Sequence, residues 1–286
     1  MTQKIAVAVV HGIGNQAPEF ADRLEDALQQ LCKETCGEDV VIKPVYWAPA
    51  MQKKEDDLWD RMTAGGPLNF RQIRRVAIDY VADALAYQPA PDDRKTYDDI
   101  HVIYAQTLRA LAEEAGPKAP LCIVSHSLGT VISSNYIYDL QKPQLISDQV
   151  RAEMTDTPLE RGETLNLLYT LGSPIALWSL RYRNFGKPIS IPAPEFTSHY
   201  PDLQCAWVNY YDKDDLVGFP LRELNHAYGQ AVSADIQVNV GNLLTEWNPL
   251  SHTAYLNDND VIRPIAETLI NTWKTVNQAE IEGNAP

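Results

Sequence analysis

Residues 121–130 read LCIVSHSLGT, in which two serines are separated by one histidine. The first half is an apolar run typical of a buried strand, and a helical pattern follows it. A serine at such a strand-to-helix turn lies in strained backbone and needs small residues two positions before and two positions after it. Ser127 satisfies this condition, because Ser125 and Gly129 flank it, whereas Ser125 does not, because Ile123 is β-branched. The stretch therefore predicts a candidate nucleophile at Ser127.

Apolar strand patterns alternate with amphipathic helical patterns along most of the chain. Six short runs are rich in β-branched and aromatic residues, and apolar residues at helical spacing lie between several of them. Such alternation is typical of a mostly parallel sheet whose two faces are both covered by helices. We predict strands at 4–10, 39–47, 120–125, 164–173, 203–211 and 233–240, and helices at 17–36, 97–115, 128–141 and 259–277.

A serine hydroxyl needs a base that accepts its proton, and the base needs a carboxylate that orients it. On folds with this kind of turn, the order along the chain is serine, then acid, then histidine. His199 precedes all the candidate acids and is excluded by that order. His252 lies in a loop after the last predicted strand, which makes it the candidate base. His226 lies before that strand, in a segment with helical character, and is the weaker candidate.

The candidate acids follow the fifth predicted strand. Residues 203–217 read LQCAWVNYYDKDDLV, and Asp212, Asp214 and Asp215 come directly after the apolar part. An acid that serves a serine at this kind of turn follows a strand, and this segment meets that requirement. The pattern alone leaves all three aspartates as candidates.

The loop after the first predicted strand reads HGIGN and is expected to stabilise a developing negative charge. An oxyanion hole needs backbone N–H groups that are already in position. One donor is expected to be the N–H of Leu128, the residue after the nucleophile. The other is expected to be the N–H of Ile13, because Gly12 and Gly14 let the backbone turn tightly. His11, just before the turn, is expected to have a structural role.

Five segments together resemble the α/β-hydrolase superfamily, in particular its lipase-like and esterase-like members. They lie in the family's order and extend over nearly the whole chain. The resemblance implies a three-layer α/β-hydrolase fold with a compact, mostly parallel sheet of about six strands, without the two N-terminal antiparallel strands of larger members. The segments are VVHGIGN (9–15), SHSLGT (125–130), TLGSP (170–174), DKDDLVGFPL (212–221) and SHTAYL (251–256).

The resemblance also implies which aspartate acts. In lipases of this kind the acid is followed by one residue and then by valine, and Asp215-Leu216-Val217 fits this pattern. Asp215 is therefore the expected acid, with Asp212 and Asp214 as alternatives. Gly172-Ser173-Pro174 matches a structural turn that lies beside the site in the family.

The activity implied by the resemblance is hydrolysis of a carboxylic ester, with a small-molecule acyl ester as substrate. Ser127 attacks the acyl carbonyl, His252 accepts its proton, and Asp215 holds the imidazole tautomer. The amides of Ile13 and Leu128 stabilise the oxyanion, water resolves the acyl-enzyme, and no metal or cofactor is expected. An acyltransferase or a thioesterase would use the same triad. A catalytically silent scaffold of this fold would instead bind a ligand or a partner protein.

The composition argues against several classes of protein. The formal net charge is −14 and the sequence pI is about 4.8, so neither nucleic acid nor an anionic membrane surface is an expected partner. The four cysteines form no disulfide framework, and no second Cys/His pair has metal-ligand spacing. No stretch is long enough to span a bilayer, and the N-terminal apolar run is shorter than that of a signal peptide. We expect one cytoplasmic domain over residues 1–286, without stable membrane association.

Residues 50–95 interrupt the alternation of strands and helices, and we predict that they form a helical insertion packed over the end of the sheet. With the loop at 175–202, the insertion is expected to cap an apolar acyl pocket. Arg181 or Arg183 then meets a polar head group, and the alternative is that both arginines form a solvated rim. Residues 278–286 are predicted to be a flexible tail, and nothing in the sequence specifies an oligomeric state.

Overall fold

The six strands among the described residues form one sheet and all run parallel. The computed structural model describes residues 2–13, 16–66, 69, 83–89, 93–240 and 254–278. The strands are β1 (Ile5–Val10), β2 (Val40–Val45), β3 (Leu121–His126), β4 (Leu165–Leu171), β5 (Ala206–Asp212) and β6 (Ala234–Val238). Their order across the sheet is β2-β1-β3-β4-β5-β6, and every neighbouring pair is parallel.

Helices connect and cover these strands. Within the described part of the chain, no helix is both long enough and apolar enough to cross a membrane. Short 3₁₀ turns lie at Pro143–Leu145, Arg183–Phe185, Arg222–Leu224 and Tyr255–Asn257. The α-helices are α1 (Asp22–Cys36), α2 (Pro49–Thr63), α3 (Lys95–Ala115), α4 (Leu128–Leu140), α5 (Asp148–Ala152), α6 (Ile175–Ser179), α7 (Phe196–His199), α8 (His226–Ala231) and α9 (Asn259–Val276).

The larger helices form two layers, one on each face of the sheet. Successive side chains of a strand point to opposite faces, so the residues of β1 divide between two cores. Ile5, Val7 and Val9 pack in the core formed with α1 and α9, whereas the alanines and the valine that alternate with them pack with α3 and α4. Every residue of β1 is buried, as expected for a central parallel strand. The predicted three-layer architecture is therefore confirmed.

The bounds of the elements agree closely with the sequence patterns. All six predicted strands are present, and each end lies within three residues of its predicted position. The helix predicted at 17–36 begins five residues later, at Asp22. Residues 17–21 instead form turns, in which the amide of Phe20 donates to the carbonyl of Ala17 at 3.1 Å. Pro18 lies inside this turn, where its missing N–H costs no hydrogen bond.

The strand order reverses between β1 and β3. The chain passes from β1 to β2 on one side and later returns to β3 on the other side of β1. In open parallel sheets, ligands bind outside the carboxyl ends of the strands at such a reversal. The loop after β1 and the turn after β3 flank this point, so the topology alone brings the HGI segment and Ser127 together.

The predicted insertion at 50–95 is helical where it is described. Helix α2 covers its first part and residues 83–86 are helical, whereas residues 67–68, 70–82 and 90–92 lie outside the described residues. Its capping role stays a prediction. The tail predicted from 278 also lies outside the described residues from 279 onward.

Tyr87 connects the insertion to the body of the domain. Its side chain is 1% exposed, and its hydroxyl lies 2.9 Å from Nε2 of His101 on α3. Asp139 on α4 lies on the other side of this histidine and accepts a hydrogen bond from the Tyr97 hydroxyl at 2.8 Å. Burial lowers the pKa of His101 to about 3 and raises that of Asp139 to about 6. The insertion is therefore joined to α3 and α4 through a buried polar cluster.

Gly129 lets the first turn of α4 approach the end of β1. A Cβ built on Gly129 would lie 2.4 Å from the carbonyl oxygen of His11 and 2.9 Å from that of Val10. Both obstacles are backbone atoms, which cannot move aside without shifting β1 or α4. The small residue that the sequence motif requires after Ser127 is thus explained by contact between helix and strand.

We expect Gly129→Ala to lower the free energy of unfolding by about 1–3 kcal/mol, because overpacking at this contact outweighs the higher helix propensity of alanine. Urea unfolding of the full chain measures the change. Gly65→Ala is the matched control, since no atom of the described residues lies within 4 Å of a Cβ built there, and its effect should stay within about 0.5 kcal/mol. Equal stability of the two variants would contradict the contact.

Candidate active site

Ser127 lies at the turn between β3 and α4 with a strained backbone. Its φ is 52° and its ψ is −129°, a conformation that residues with a side chain rarely adopt. The turn is held because the amide of Ser127 donates to the carbonyl of Leu171 at 2.9 Å, while Thr130 donates to the carbonyl of Ser127 through its amide and its hydroxyl. Strain of this kind persists where the surroundings enforce it, and it is typical of functional sites.

Ser125 has a different environment. It belongs to β3, is fully buried, and donates its hydroxyl to the carbonyl of Tyr169 on β4 at 3.1 Å. The two serines of the SHS sequence therefore differ as their flanking residues predict: Ser127 lies in the turn and Ser125 in the sheet. The role of Ser127 as a nucleophile stays a prediction at this point.

The loop after β1 lies directly against Ser127. A Cβ built on Gly12 would lie 2.6 Å from the Cβ of Ser127 and 3.2 Å from its Oγ, so only glycine fits there. Ile13 follows in this loop and is half-buried, and Leu128 is the first residue of α4. Both residues predicted to donate N–H groups to the oxyanion thus lie next to the serine in the chain or in the fold. Ile13 follows Gly12, which packs against Ser127, and Leu128 directly follows Ser127. Gly14 lies outside the described residues.

His11 supports this loop through both ring nitrogens. Nδ1 lies 2.7 Å from the carbonyl oxygen of Gly12, and Nε2 accepts hydrogen bonds from the amides of Trp47 at 3.0 Å and Ala48 at 3.2 Å. The ring also stacks on the Trp47 indole at a centroid distance of 4.5 Å. Since Nε2 accepts from two amides, the ring proton lies on Nδ1 and is donated to Gly12. His11 has no nitrogen left to act as a base, in agreement with its expected structural role.

The buried His11 should make the fold sensitive to acid. Burial lowers its pKa from 6.5 to about 3, so on acidification the unfolded chain binds this proton before the folded chain does. The stability that depends on neutral His11 is complete above pH 6.5 and is lost as the pH falls toward 3. From pH 7.5 to 5 the loss from this residue should be about 2 kcal/mol.

Urea unfolding at both pH values tests this expectation. His11→Gln should reduce the difference in unfolding free energy between pH 7.5 and 5, whereas His226→Gln, at an exposed position, should leave it as in the unchanged protein. An undiminished pH dependence in His11→Gln would show that another group is responsible.

The three candidate acids have three different environments. Asp212 is buried, and both of its carboxylate oxygens accept backbone amides, from Asp214 at 2.9 Å and from Val240 at 2.7 Å. Asp214 is exposed. Asp215 is buried, with Oδ1 accepting the amide of Val217 at 2.9 Å. Asp212 therefore joins the ends of β5 and β6, while Asp215 is a buried carboxylate on the loop beyond them.

The backbone packs closely around the Asp215 carboxylate. A Cβ built on Gly218 would lie 2.5 Å from Oδ2 of Asp215 and 3.0 Å from the Cα of Gly172. Gly172 belongs to the turn after β4, in which the Ser173 hydroxyl lies 2.8 Å from that of Thr130 on α4. The predicted structural turn at Gly172-Ser173 thus connects the loop that carries Asp215 with the first turn of the helix after Ser127.

Tyr255 is a member of this site that the sequence did not reveal. Its hydroxyl lies 2.9 Å from Oδ2 of Asp215 and 2.8 Å from the amide nitrogen of Asp212. The ring is completely buried and lies 5.9 Å from the ring of His126, the residue before Ser127. Burial, and then the charge of Asp215, raises the pKa of Tyr255. The one available signal was its place in the SHTAYL segment, three residues after His252.

The three histidines that follow Ser127 in the chain have different positions. His252, the candidate base, lies outside the described residues. His226 is exposed at the start of α8, and His199 lies 3.0 Å from a carboxylate oxygen of Glu163. Among the described residues, no group of three or more His, Cys, Asp or Glu side chains is arranged to hold a metal ion.

Cavities border the layer that contains α4, and two of them bear on the position of the site. One of about 150 Å³ lies between α4 and the segment after β4. It begins at Val131, one helical turn beyond Ser127, and includes Trp178, Tyr182 and Phe185 of the predicted cap loop, whereas Arg181 and Arg183 do not line it. A larger cavity of about 640 Å³ includes Gly162 and Glu163, just before β4, and so lies at the opposite end of the sheet from Ser127. Position, rather than size, makes the smaller cavity relevant to the serine.

The fold and the turn together define a class. A parallel sheet covered on both faces, a strained serine between a central strand and the following helix, and a glycine loop from the first strand against that serine are the features of the α/β-hydrolase fold. The chain has this fold, as its sequence segments imply.

The solved structures to which this chain is similar include three esterases. No protein-family model matches the sequence, and no curated protein matches it either. Identities of 11–12% and TM-scores below 0.5 are too low to carry a functional conclusion. The structures are a fungal esterase from Rhizomucor miehei (11% identity, TM-score 0.46, 95% of this chain and 76% of that chain), an esterase from Pyrobaculum calidifontis (11%, 0.45, 94% and 77%) and the esterase domain of a Rhodothermus marinus protein (12%, 0.38, 96% and 87%).

Proposed function

We propose that the protein is a serine hydrolase that cleaves carboxylic esters of small molecules. The observation that carries this proposal is the backbone of Ser127, with φ of 52° at a strand-to-helix turn and Gly12 packed against its side chain. An N-cap serine alone has no need of a positive φ, because N-caps adopt extended backbone. A strained serine under a glycine loop is the geometry of an activated nucleophile.

In the proposed reaction, the Oγ of Ser127 attacks the carbonyl carbon of the ester while His252 accepts the hydroxyl proton. The amides of Ile13 and Leu128 donate hydrogen bonds to the oxyanion of the tetrahedral intermediate. His252 then returns the proton to the departing alkoxide, which leaves as an alcohol and leaves an acyl group on Ser127. Water, deprotonated by the same histidine, releases the acid and restores the serine. Every step of the proposed reaction uses only side chains, backbone amides and water.

Asp215 is the acid in this proposal. Both oxygens of Asp212 already accept backbone amides, so that carboxylate joins two strands, and the exposed Asp214 faces water, which weakens its interaction with any imidazole. Asp215 is buried on the loop that Gly218 and Gly172 hold beside the α4 turn. A buried carboxylate at this place is suited to orient His252 and to stabilise the imidazolium ion that forms during the reaction.

The cavity of about 150 Å³ beside α4 is proposed to receive the acyl group. Its lining is largely aromatic and aliphatic, and it begins one helical turn from Ser127. A space of this size suits a short acyl chain. The proposed substrates are therefore short-chain esters.

A fluorophosphonate probe tests the nucleophile. We expect one adduct, mapped to Ser127 by peptide mass spectrometry, and hydrolysis of a short-chain p-nitrophenyl ester that falls in Ser127→Ala to the roughly 1,000- to 10,000-fold over water that binding alone supports. Ser125→Ala is the matched control and should keep labelling and turnover. His252→Ala should abolish labelling. If the folded protein is not labelled, serine hydrolysis is excluded and the protein is a binding scaffold of the same fold. If it is labelled but prefers thioesters or alcohol acceptors, the proposed substrate class is wrong.

Substitution of each aspartate tests the acid. Asp215→Asn should lower kcat by about 10,000-fold, because the imidazole then loses the partner that selects its tautomer. Asp214→Asn, at the exposed residue directly before Asp215 in the same loop, should change kcat by no more than a few fold. Asp212→Asn should mainly lower the free energy of unfolding, because it weakens the hydrogen bonds that the Asp212 carboxylate accepts from two backbone amides. Asp215→Asn with normal kcat would remove Asp215 from the mechanism and return the choice to its neighbours.

A further inference from the structure

The hydroxyl of Tyr255 lies between Asp212, whose carboxylate binds backbone amides, and Asp215, the proposed acid. It is 2.8 Å from the amide nitrogen of Asp212 and 2.9 Å from the carboxylate oxygen Oδ2 of Asp215. Both contacts are short enough to be well-formed hydrogen bonds. They join the last residue of β5 to the loop that carries the proposed acid, through a side chain that arrives from a segment forty residues later.

The direction of these bonds follows from the chemistry of the groups. A backbone amide only donates, so the tyrosine oxygen accepts from Asp212. A phenol has one proton, and an ionised carboxylate only accepts, so that proton is donated to Oδ2 of Asp215. Asp215 therefore receives one donor on each oxygen within the described residues, Val217 N–H on Oδ1 and Tyr255 O–H on Oδ2.

The tyrosine is held rigidly in this position. Its side chain is completely buried, and its oxygen accepts a hydrogen bond from the amide of Asp212. The carboxylate of Asp212 in turn accepts the amides of Asp214 and Val240. The ends of β5 and β6 thus form a fixed support for the hydroxyl. A donor on such a support restricts the torsion of the Asp215 carboxylate, since any rotation would break the bond to Oδ2.

We propose that Tyr255 is a positioning residue of the active site: it fixes the orientation of the Asp215 carboxylate. This inference rests on the proposed function. Only two residues separate Tyr255 from His252 in the sequence, so the covalent chain limits the distance between their Cα atoms to about 11 Å.

The donated proton also sets the strength of the acid as a partner. A hydrogen bond to the charged form of a carboxylate lowers its basicity. Without the Tyr255 hydroxyl, no phenol proton offsets the negative charge of Asp215, which then stabilises protonated His252 more strongly, so the acidic limb of the kcat/KM profile should move to higher pH. The shift should be roughly half a pH unit to one unit. A merely structural tyrosine would leave this limb in place.

The test is Tyr255→Phe in the full chain, with a short-chain p-nitrophenyl ester as substrate. We expect kcat to fall by about 10- to 100-fold, the loss of one hydrogen bond to a charged group, with KM changed by less than about twofold. Tyr104→Phe is the matched control. That tyrosine is also fully buried and donates its hydroxyl to Ser133 at 3.2 Å, away from Asp215, so its loss should lower stability without changing kcat or the pH profile.

A double-mutant cycle with Asp215→Asn gives a second readout. If Tyr255 acts through Asp215, Tyr255→Phe should reduce kcat much less when Asp215 is already asparagine. An equal reduction in both backgrounds, or an unmoved acidic limb in Tyr255→Phe, overturns the proposal. So does full activity of Tyr255→Phe. Failure of the proposed function would look different: the protein without any substitution would neither react with the fluorophosphonate probe nor hydrolyse the ester.

Discussion

The close approach of three backbone segments at the carboxyl ends of β1, β3 and β4 is the constraint on which the site depends. Ser127 keeps a positive φ because its amide is bound by Leu171 and its side chain is covered by Gly12. Gly129 meets the carbonyl of His11 at a distance that excludes any side chain. The strained backbone of Ser127 therefore depends on contacts between segments that the parallel sheet brings together.

The same edge of the sheet also separates neighbouring groups into different roles. Asp212 and Asp215 are three residues apart and both are buried, yet the carboxylate of Asp212 binds two backbone amides at the ends of β5 and β6, while that of Asp215 accepts from a phenol and one amide. His11 shows the same principle, because its two nitrogens are used by the backbone and its pKa falls to about 3. Environment, rather than residue type, decides which titratable group is free for chemistry.

Much of the fold follows from local patterns. The strands are short apolar runs bounded by turn residues, so each is recognisable within its own segment. The turn at Ser127 is recognisable because its steric demand falls on residues two positions away. The start of α1 was less accessible, since five residues of turn precede Asp22 with a composition that also suits a helix. Tyr255 had no signal beyond its place in the SHTAYL segment, because its partner Asp215 lies forty residues earlier.

The sequence by itself determined a parallel sheet covered by helices, a serine at the turn after β3, a glycine loop after β1 and an acidic loop after β5, because each of these depends on residues close together in the chain. The tertiary structure alone decided that the Asp212 carboxylate binds the amides of Asp214 and Val240, that both ring nitrogens of His11 bind backbone groups, and that Tyr255 donates to Asp215. The physical reason is that hydrogen-bond partners and burial are set by contacts between segments far apart in sequence. Three aspartates within four positions look alike until the fold supplies those contacts.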